Sequence, residues 1–268
     1  MTLGTPRLRP RLALALAFSI AAVLTAVAAP AFADATAPAA APAPLTYRFG
    51  DWPPDLSKHG AELQGLYDKI LYVTGAVFFL TEGLLLFFLW KYRAQPGKKA
   101  HYSHGHMGLE VGWTLLPVVI FVVLGVTSAD MWARMKDRNL FPQDAFTVKV
   151  TGRQFEWLIR YPGKDGLFGT EDDYETINDL HVPYDKPVRV RLTAQDVIHS
   201  FFLPELRVKQ DAVPGLETEI WFEASRAAKT EIACAELCGL GHYRMRGSVT
   251  IEPLPQVLNW IQTEKEDE

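Results

Sequence analysis

ACAELCGLGHYRM, residues Ala233 to Met245, sets Cys234, Cys238, His242 and Met245 in one short run and contains both of the chain's 2 cysteines. Thiolate, imidazole and thioether are together the ligand set that soft, redox-active copper prefers over zinc or magnesium. A disulfide across so short a spacing would close a very small loop, where cross-linking contributes least. Metal binding is therefore the expectation for this loop. It demands a rigid scaffold to hold it and at least one further ligand from elsewhere in the chain.

The scaffold is read from Pro142 onward. Phe146 to Val150, Phe155 to Arg160, Val188 to Leu192, Glu219 to Phe222 and Ser248 to Ile251 alternate apolar and polar residues and are rich in β-branched and aromatic side chains. Turn signals separate them: Pro162-Gly163, Asp165-Gly166 and Pro214-Gly215. Many short strands at this spacing define a β-sandwich or small barrel. Pro253 to Thr263 is expected to close the chain as a short helix with Leu258 and Ile261 facing inward. The further ligand is His199, flanked by aromatics in the run Asp196-Val197-Ile198-His199-Ser200-Phe201-Phe202.

Upstream the chemistry changes. Ile70 to Trp90 carries one charge, Glu82, and Val111 to Ala129 carries none. Each is close to the roughly 20 residues of helix that cross a ~30 Å hydrocarbon core. Two transmembrane helices follow, with Tyr72, Trp90, Tyr92 and Trp132 placed near their ends as interfacial anchors. The loop between them holds Lys91, Arg93, Lys98 and Lys99 and no acid, which makes it cytoplasmic. The strand-rich region then lies in the periplasm of a two-pass protein of the bacterial inner membrane. Glu82, costly inside a bilayer, is expected to face a partner subunit or to be protonated. Ahead of the helices, Arg7, Arg9 and Arg11, the apolar stretch Leu12 to Ala29 and Ala31-Phe32-Ala33 form a secretory signal with its cleavage site. The Ala/Pro tract of residues 35 to 45 is a linker.

The expected division is thus a signal peptide over 1–33, a linker over 34–66 and a helical hairpin over 67–133 with helices at about 70–90 and 111–130. The metal domain follows over 142–255 and a tail over 256–268. In the full sequence of 268 residues the formal charge is −4. From Pro142 on, 14 Lys and Arg stand against 22 Asp and Glu, a net −8. A surface of that sign steers a basic partner and excludes nucleic acid.

The run Cys-x-Glu-x-Cys-x3-His-x2-Met, the upstream DVIHSFFLPELRVKQDAVPG and LEVGWTLLP at the second helix resemble subunit II of haem-copper cytochrome c oxidases, over roughly residues 60 to 255. The resemblance implies a two-helix transmembrane hairpin followed by an all-β cupredoxin-like barrel or sandwich that carries the dinuclear copper centre CuA. Cys234 and Cys238 would bridge the two coppers, and His199 and His242 would bind one each. Met245 would be a weak ligand on one side, with the Glu236 backbone carbonyl on the other. The Glu236 carboxylate would reach a Mg2+ or Mn2+ ion shared with subunit I, a hard cation suited to oxygen ligands. Glu110 matches the carboxylate at the mouth of the family's K proton pathway.

The activity so implied is that of the electron-input subunit of a terminal respiratory oxidase, an oxidoreductase and translocase. A reduced periplasmic cytochrome c, soluble or membrane-bound, would donate to the copper. A haem in subunit I would then receive the electron for reduction of O2 to water coupled to proton translocation, with subunit III as a further partner. Nitrous oxide reductase shares the metal loop but lacks the two amino-terminal helices, and quinol oxidase relatives keep the fold but lose the copper ligands. A copper-delivery protein needs only the cysteines, and a single blue copper only one of them.

The sequence departs from the family at its aromatic docking patch. GHQWYW is replaced by Gly152-Arg153-Gln154-Phe155-Glu156-Trp157, so Phe155 stands where a tryptophan receives electrons. Phe155 and Trp157 are the expected electron-transfer residues. The insertion DGLFGTEDDYE, with Asp165, Glu171, Asp172 and Asp173, is an ordinary solvated turn, an acidic docking hairpin or a Ca2+ loop, the first being preferred. His101, His104 and His106 are read as a polar loop touching subunit I rather than as a metal site.

Overall fold

The computed structural model describes residues 52–163 and 165–266. The expected signal peptide and Ala/Pro linker fall outside the described residues. The chain divides into two compact units. One holds the described residues Gln64–Ser128, and the other joins the stretch before Gln64 to Ala129–Glu268.

Among the described residues two helices come first, α1 over Gly60–Lys91 and α2 over Met107–Lys136. Both are long and apolar enough to cross a membrane. They outrun the apolar stretches read from the sequence because polar residues continue the helices at their ends. Glu62 and Glu110 lie in the first turns, and Lys91, Arg134 and Lys136 in the last turns, the signs that the helix dipole favours. The apolar residues cover all sides rather than one stripe: Phe79, Leu86, Phe121 and Val126 are all exposed. That is the pattern of a helix solvated by lipid. Hydroxyls inside these runs find local acceptors. Thr81 Oγ1 donates to the Val77 carbonyl at 3.0 Å, and Thr127 Oγ1 to that of Val123 at 2.9 Å. No polar side chain of this kind then needs water.

Among its described residues the second unit is built on ten strands in two sheets. In chain order they are β1 Phe146–Arg153, β2 Glu156–Tyr161, β3 Tyr174–Ile177, β4 Asp179–Pro183, β5 Val188–Ala194, β6 His199–Leu203, β7 Val208–Ala212, β8 Thr218–Phe222, β9 Ala228–Cys234 and β10 Arg246–Glu252. One sheet runs β3-β2-β1-β5-β8 and the other β4-β10-β9-β6-β7. The pairs β1–β5 and β4–β10 are parallel, the rest antiparallel. Strict alternation puts Val148, Val150, Ile159, Val190 and Leu192 of the first sheet inside, against Leu180, Val182, Phe201, Leu203, Ile232, Val249 and Ile251 of the second. Burying each such side chain contributes about 1.5–3 kcal/mol before the entropy of folding is set against it.

All five strands expected from the sequence are present. Five more appear, and two of them hide their period for a physical reason. β6 is buried at four of its five positions, so it reads as an apolar run, while β7 at the sheet edge is mostly polar.

Residues ahead of α1 also join this unit. Leu56 is fully buried, its amide donates to the Glu205 carbonyl at 2.8 Å, and its carbonyl accepts from the Ser225 amide at 2.7 Å. At the other end α3, Leu254–Glu266, docks by Val257, Trp260 and Ile261, the i, i+3, i+4 face of a helix. Ile261 faces inward as expected, but Leu258 does not. It is 45% exposed, because it lies about 100° round the helix from buried Val257. Trp260 stacks flat on His181, with ring centroids 3.7 Å apart.

Candidate metal centre

The loop of residues 235–245 joins β9 to β10 at one end of the second sheet. Strand β6 pairs with β9 through Phe201↔Cys234 and Phe202↔Ala233, which places His199, first residue of β6, beside the loop. Two backbone hydrogen bonds fix the loop's ends: Ala235 N to Ser200 O at 3.0 Å, and Cys234 N to Met245 O at 3.2 Å. A single 3-10 turn, His242–Arg244, follows Gly239 and Gly241. Gly239 has φ +131°, a conformation that glycine alone adopts freely. At Gly241 a Cβ would stand 2.4 Å from the Phe155 ring.

The donor atoms converge. Cys234 Sγ and Cys238 Sγ are 3.9 Å apart, Cys238 Sγ lies 3.6 Å from His242 Nδ1 and 3.7 Å from Met245 Sδ, and Cys234 Sγ lies 3.2 Å from the Glu236 carbonyl oxygen. Both cysteines are free. Ligand atoms of His199, Cys234 and Cys238 all fall within 4.8 Å of one another, the one such grouping among the described residues. A sulfur separation of 3.9 Å is below twice an ordinary metal–sulfur distance of about 2.3 Å, so one ion can touch both.

His199 provides the sharpest test of fit. It is fully buried, and its Nε2–H donates to Asp196 Oδ1 at 2.8 Å. Burial pushes the Asp196 carboxyl up, but hydrogen bonds from His199 and from the amides of Gln154 and Val197 outweigh that and hold it below its ordinary value. An ionised carboxylate can only accept, so the proton sits on Nε2. The other ring nitrogen, Nδ1, is buried and has no hydrogen-bond partner. A buried acceptor left unpaired costs about 1–3 kcal/mol, and a metal ion removes that cost. The carboxylate–histidine pair is the outer-shell arrangement that fixes a ligating ring.

The thiols tell the same story. Burial, and then the neighbouring Cys234, push the Cys238 thiol up to about 12. Without a cation it stays protonated at neutral pH, and metal binding must release that proton. A soft donor set that also includes a thioether fits copper better than zinc.

The turn between β1 and β2 supports the loop from outside. Gln154 Nε2 donates to the Cys238 carbonyl at 2.5 Å, while the Gln154 amide donates to Asp196 Oδ2 at 2.7 Å. Phe155, partly buried, packs against Gly239 and Gly241, with the Arg244 guanidinium 5.9 Å from its ring centroid. Trp157 is fully buried and meets His199 edge-on at 6.0 Å. Phe155 therefore reaches the surface of the loop, and Trp157 is the floor beneath His199.

His199, Cys234, Cys238, His242, Met245 and the Glu236 carbonyl are thus brought together, and the Glu236 side chain is exposed. Glu110 belongs to the helical unit, where its carboxylate accepts from the His106 amide at 3.3 Å at the start of α2. His106 caps that same helix start, its Nδ1 accepting from the Leu109 amide. The acidic insertion is a self-bonded turn: Asp165 accepts from the Leu167 amide at 2.8 Å and Asp173 from that of Gly169 at 2.7 Å. Asp196 and Gln154 were not singled out as site residues from the sequence. Asp196, three residues before a buried histidine, had a readable signal, whereas Gln154 had none.

Two apolar helices long enough to cross a membrane, a two-sheet β-domain and a Cys/His/Met loop at its end define a class of membrane-anchored β-domain proteins with a soft-donor site that could hold a metal. Residues 53–131 match the family described as cytochrome c oxidase subunit II, transmembrane domain, and residues 146–252 match its periplasmic domain. The chain belongs to this family and is a subunit of a haem-copper cytochrome c oxidase. It is 31% identical over 236 residues to the alternative cytochrome c oxidase subunit 2 of Bradyrhizobium diazoefficiens, spanning 80% of this chain and 84% of that one. It is 30% identical over 240 residues to cytochrome c oxidase subunit 2 of Cereibacter sphaeroides, spanning 78% of each. Among solved structures it is similar to the periplasmic domain of subunit II of cytochrome oxidase from Bradyrhizobium japonicum, with 32% identity and TM-score 0.42 over 47% of this chain and 97% of that one.

Proposed function

We propose that this chain is the electron-input subunit of its oxidase, with a dinuclear copper centre held by Cys234, Cys238, His199, His242, Met245 and the Glu236 carbonyl. The observation that carries the proposal is buried His199, whose Nδ1 has no hydrogen-bond partner and which offers a ring nitrogen within 4.8 Å of two free thiols. Dinuclear copper, held by these residues with the Cys234 and Cys238 thiolates foremost among them, would supply a one-electron relay. The protein's part is to keep that relay rigid. Asp196 fixes the tautomer and angle of His199, Gln154 holds Cys238 by its carbonyl, and β9 and β10 pin both ends of the loop. Close packing of Trp157, Phe155 and buried Cys238 in the core cluster resists movement of the ligands.

Phe155 is the contact for the donor, a reduced periplasmic cytochrome c, and His242 lies on the route towards the haem of subunit I, where O2 is reduced to water and protons are translocated. Glu236 offers its exposed carboxylate to a Mg2+ or Mn2+ ion shared with subunit I. Glu110, at the polar start of α2, receives protons for the same partner. Subunit III completes the complex in the bacterial inner membrane. Cleavage after Ala33 and a positive-inside loop between α1 and α2 put the β-domain in the periplasm.

Copper titration of the full-length chain tests the core of this reading. Binding followed by thiolate-to-copper absorption should reach its end point at two coppers per chain. An end point at one copper, or none, would refute it.

A further inference from the structure

The outward face of the first sheet carries a row of charges that the copper chemistry does not use. Register aligns Glu175 with Arg160, Arg160 with Lys149, Lys149 with Arg191, and Arg191 with Glu219, one residue from each of β3, β2, β1, β5 and β8. Three cations are therefore direct cross-strand neighbours, an arrangement that is destabilising unless anions offset it. The carboxylates present do so unevenly. Arg160 binds Glu175 at 2.6 Å and has Asp173 at 3.9 Å, and Arg191 binds Glu217 at 2.5 Å. Among the described residues Lys149, in the middle, pairs with the far oxygen of that same Glu217, at 3.7 Å. The next row along the strands is Ile177, Leu158, Thr151 and Thr193. Between the two rows lies a cavity of about 140 Å³ lined by Lys149, Thr151, Leu158, Arg160, Glu175 and Thr193.

We propose that this cavity is a binding site for a compact oxyanion of the phosphate class, with Lys149 as its central contact. Lys149, the Arg160 nitrogen that Glu175 does not engage, and the Thr151 and Thr193 hydroxyls are the donors of this lining, and the Glu175 carboxylate on the same wall is held by the other two Arg160 nitrogens. A tetrahedral anion presents acceptor oxygens in several directions to such a set, whereas a carboxylate presents its two oxygens in one plane. The volume is well below the 300–1,000 Å³ typical of sites for larger ligands, so the anion is inorganic phosphate or the terminal group of a phosphomonoester. Its arrival gives Lys149 the partner that Glu217, held closer by Arg191, does not provide.

The test is a melting-temperature titration of the full-length chain in detergent. Inorganic phosphate and glycerol phosphate are compared with chloride at constant ionic strength. A saturable rise with either phosphate compound, absent in chloride, is expected, and the tighter of the two identifies the source of the group. Lys149→Gln should raise the half-saturating concentration at least about tenfold and melt no lower than wild type in chloride, since it relieves the like-charge row. Thr193→Val, which leaves every charge in place, should weaken phosphate by several-fold. Equal responses to phosphate and chloride, or a phosphate response unchanged in Lys149→Gln, would overturn the proposal. So would a Lys149→Gln protein that melts well below wild type in chloride.

Discussion

Replacing Asp196 by Asn would test how the buried histidine is held. The carboxylate accepts on both oxygens: Oδ1 from His199 Nε2 at 2.8 Å and from the Val197 amide at 2.7 Å, Oδ2 from the Gln154 amide at 2.7 Å. Asparagine keeps one acceptor oxygen and turns the other into a donor. Whichever way it sits, an N–H must face an N–H, either that of Gln154 or that of His199. Losing one charge-assisted bond and opposing two donors costs about 1.5–3 kcal/mol when fully buried. Asp196 is 32% exposed, so water recovers part of this, and about 1–2 kcal/mol is expected. For a domain of this size that corresponds to roughly 2–8 °C in melting temperature. The larger effect is on metal: losing the outer-shell partner of a ligating histidine costs about 10–100-fold in affinity. Competition with a copper chelator reads the affinity, and calorimetry of the metal-free chain reads the stability. Unchanged copper affinity in a folded Asp196→Asn protein would refute the assignment of Asp196 as the residue that orients His199.

Gly241→Ala places a Cβ 2.4 Å from the Phe155 ring, so the variant should melt lower and bind copper more weakly, and adding Phe155→Ala should restore part of both; strictly additive losses would contradict the contact. Trp157→Ala empties a fully buried site and should cost about 3–5 kcal/mol in denaturant unfolding, while Trp157→Phe, which removes an indole N–H with no partner, should cost far less. Burial raises the pKa of the Tyr161 phenol, so the unfolded chain loses that proton first. Tyr161 therefore favours folding fully below pH about 10 and progressively less above it, and Tyr161→Phe should flatten the alkaline unfolding curve. Finally, the −8 charge from Pro142 onward should speed association with a basic cytochrome c and lose that advantage as salt rises, so turnover by the intact oxidase that ignored ionic strength would contradict electrostatic steering.

What could be read from the sequence follows from how strongly each environment constrains its residues. Lipid demands unbroken apolarity, so the cores of α1 and α2 were plain in Ile70–Trp90 and Val111–Ala129. Their ends were not, because the turns carrying Glu62 and Arg134 are helical yet polar. Soft donors are rare and their spacing is set by coordination, which made Cys234, Cys238, His242 and Met245 legible as a group and called for a distant histidine. The residues that hold those ligands carry no such mark. Gln154 acts through one amide bond to a backbone carbonyl, and only the fold brings it to Cys238. Strands with a clean alternation, such as β5, were visible, whereas β6, buried on both faces, lost its period. Leu258 was misplaced because two apolar residues in a row, Val257 and Leu258, cannot both face inward on a helix, and the packing chose Val257.

The central claim is that Cys234 and Cys238 bridge a pair of coppers. An EPR spectrum of the copper-loaded full-length chain, poised at one electron below full reduction, addresses it most directly. One unpaired electron shared equally between two copper nuclei gives a seven-line hyperfine pattern, and Cys234→Ser or Cys238→Ser should abolish it. A four-line pattern from a single copper, or a seven-line pattern that survives loss of either cysteine, would contradict the bridged centre.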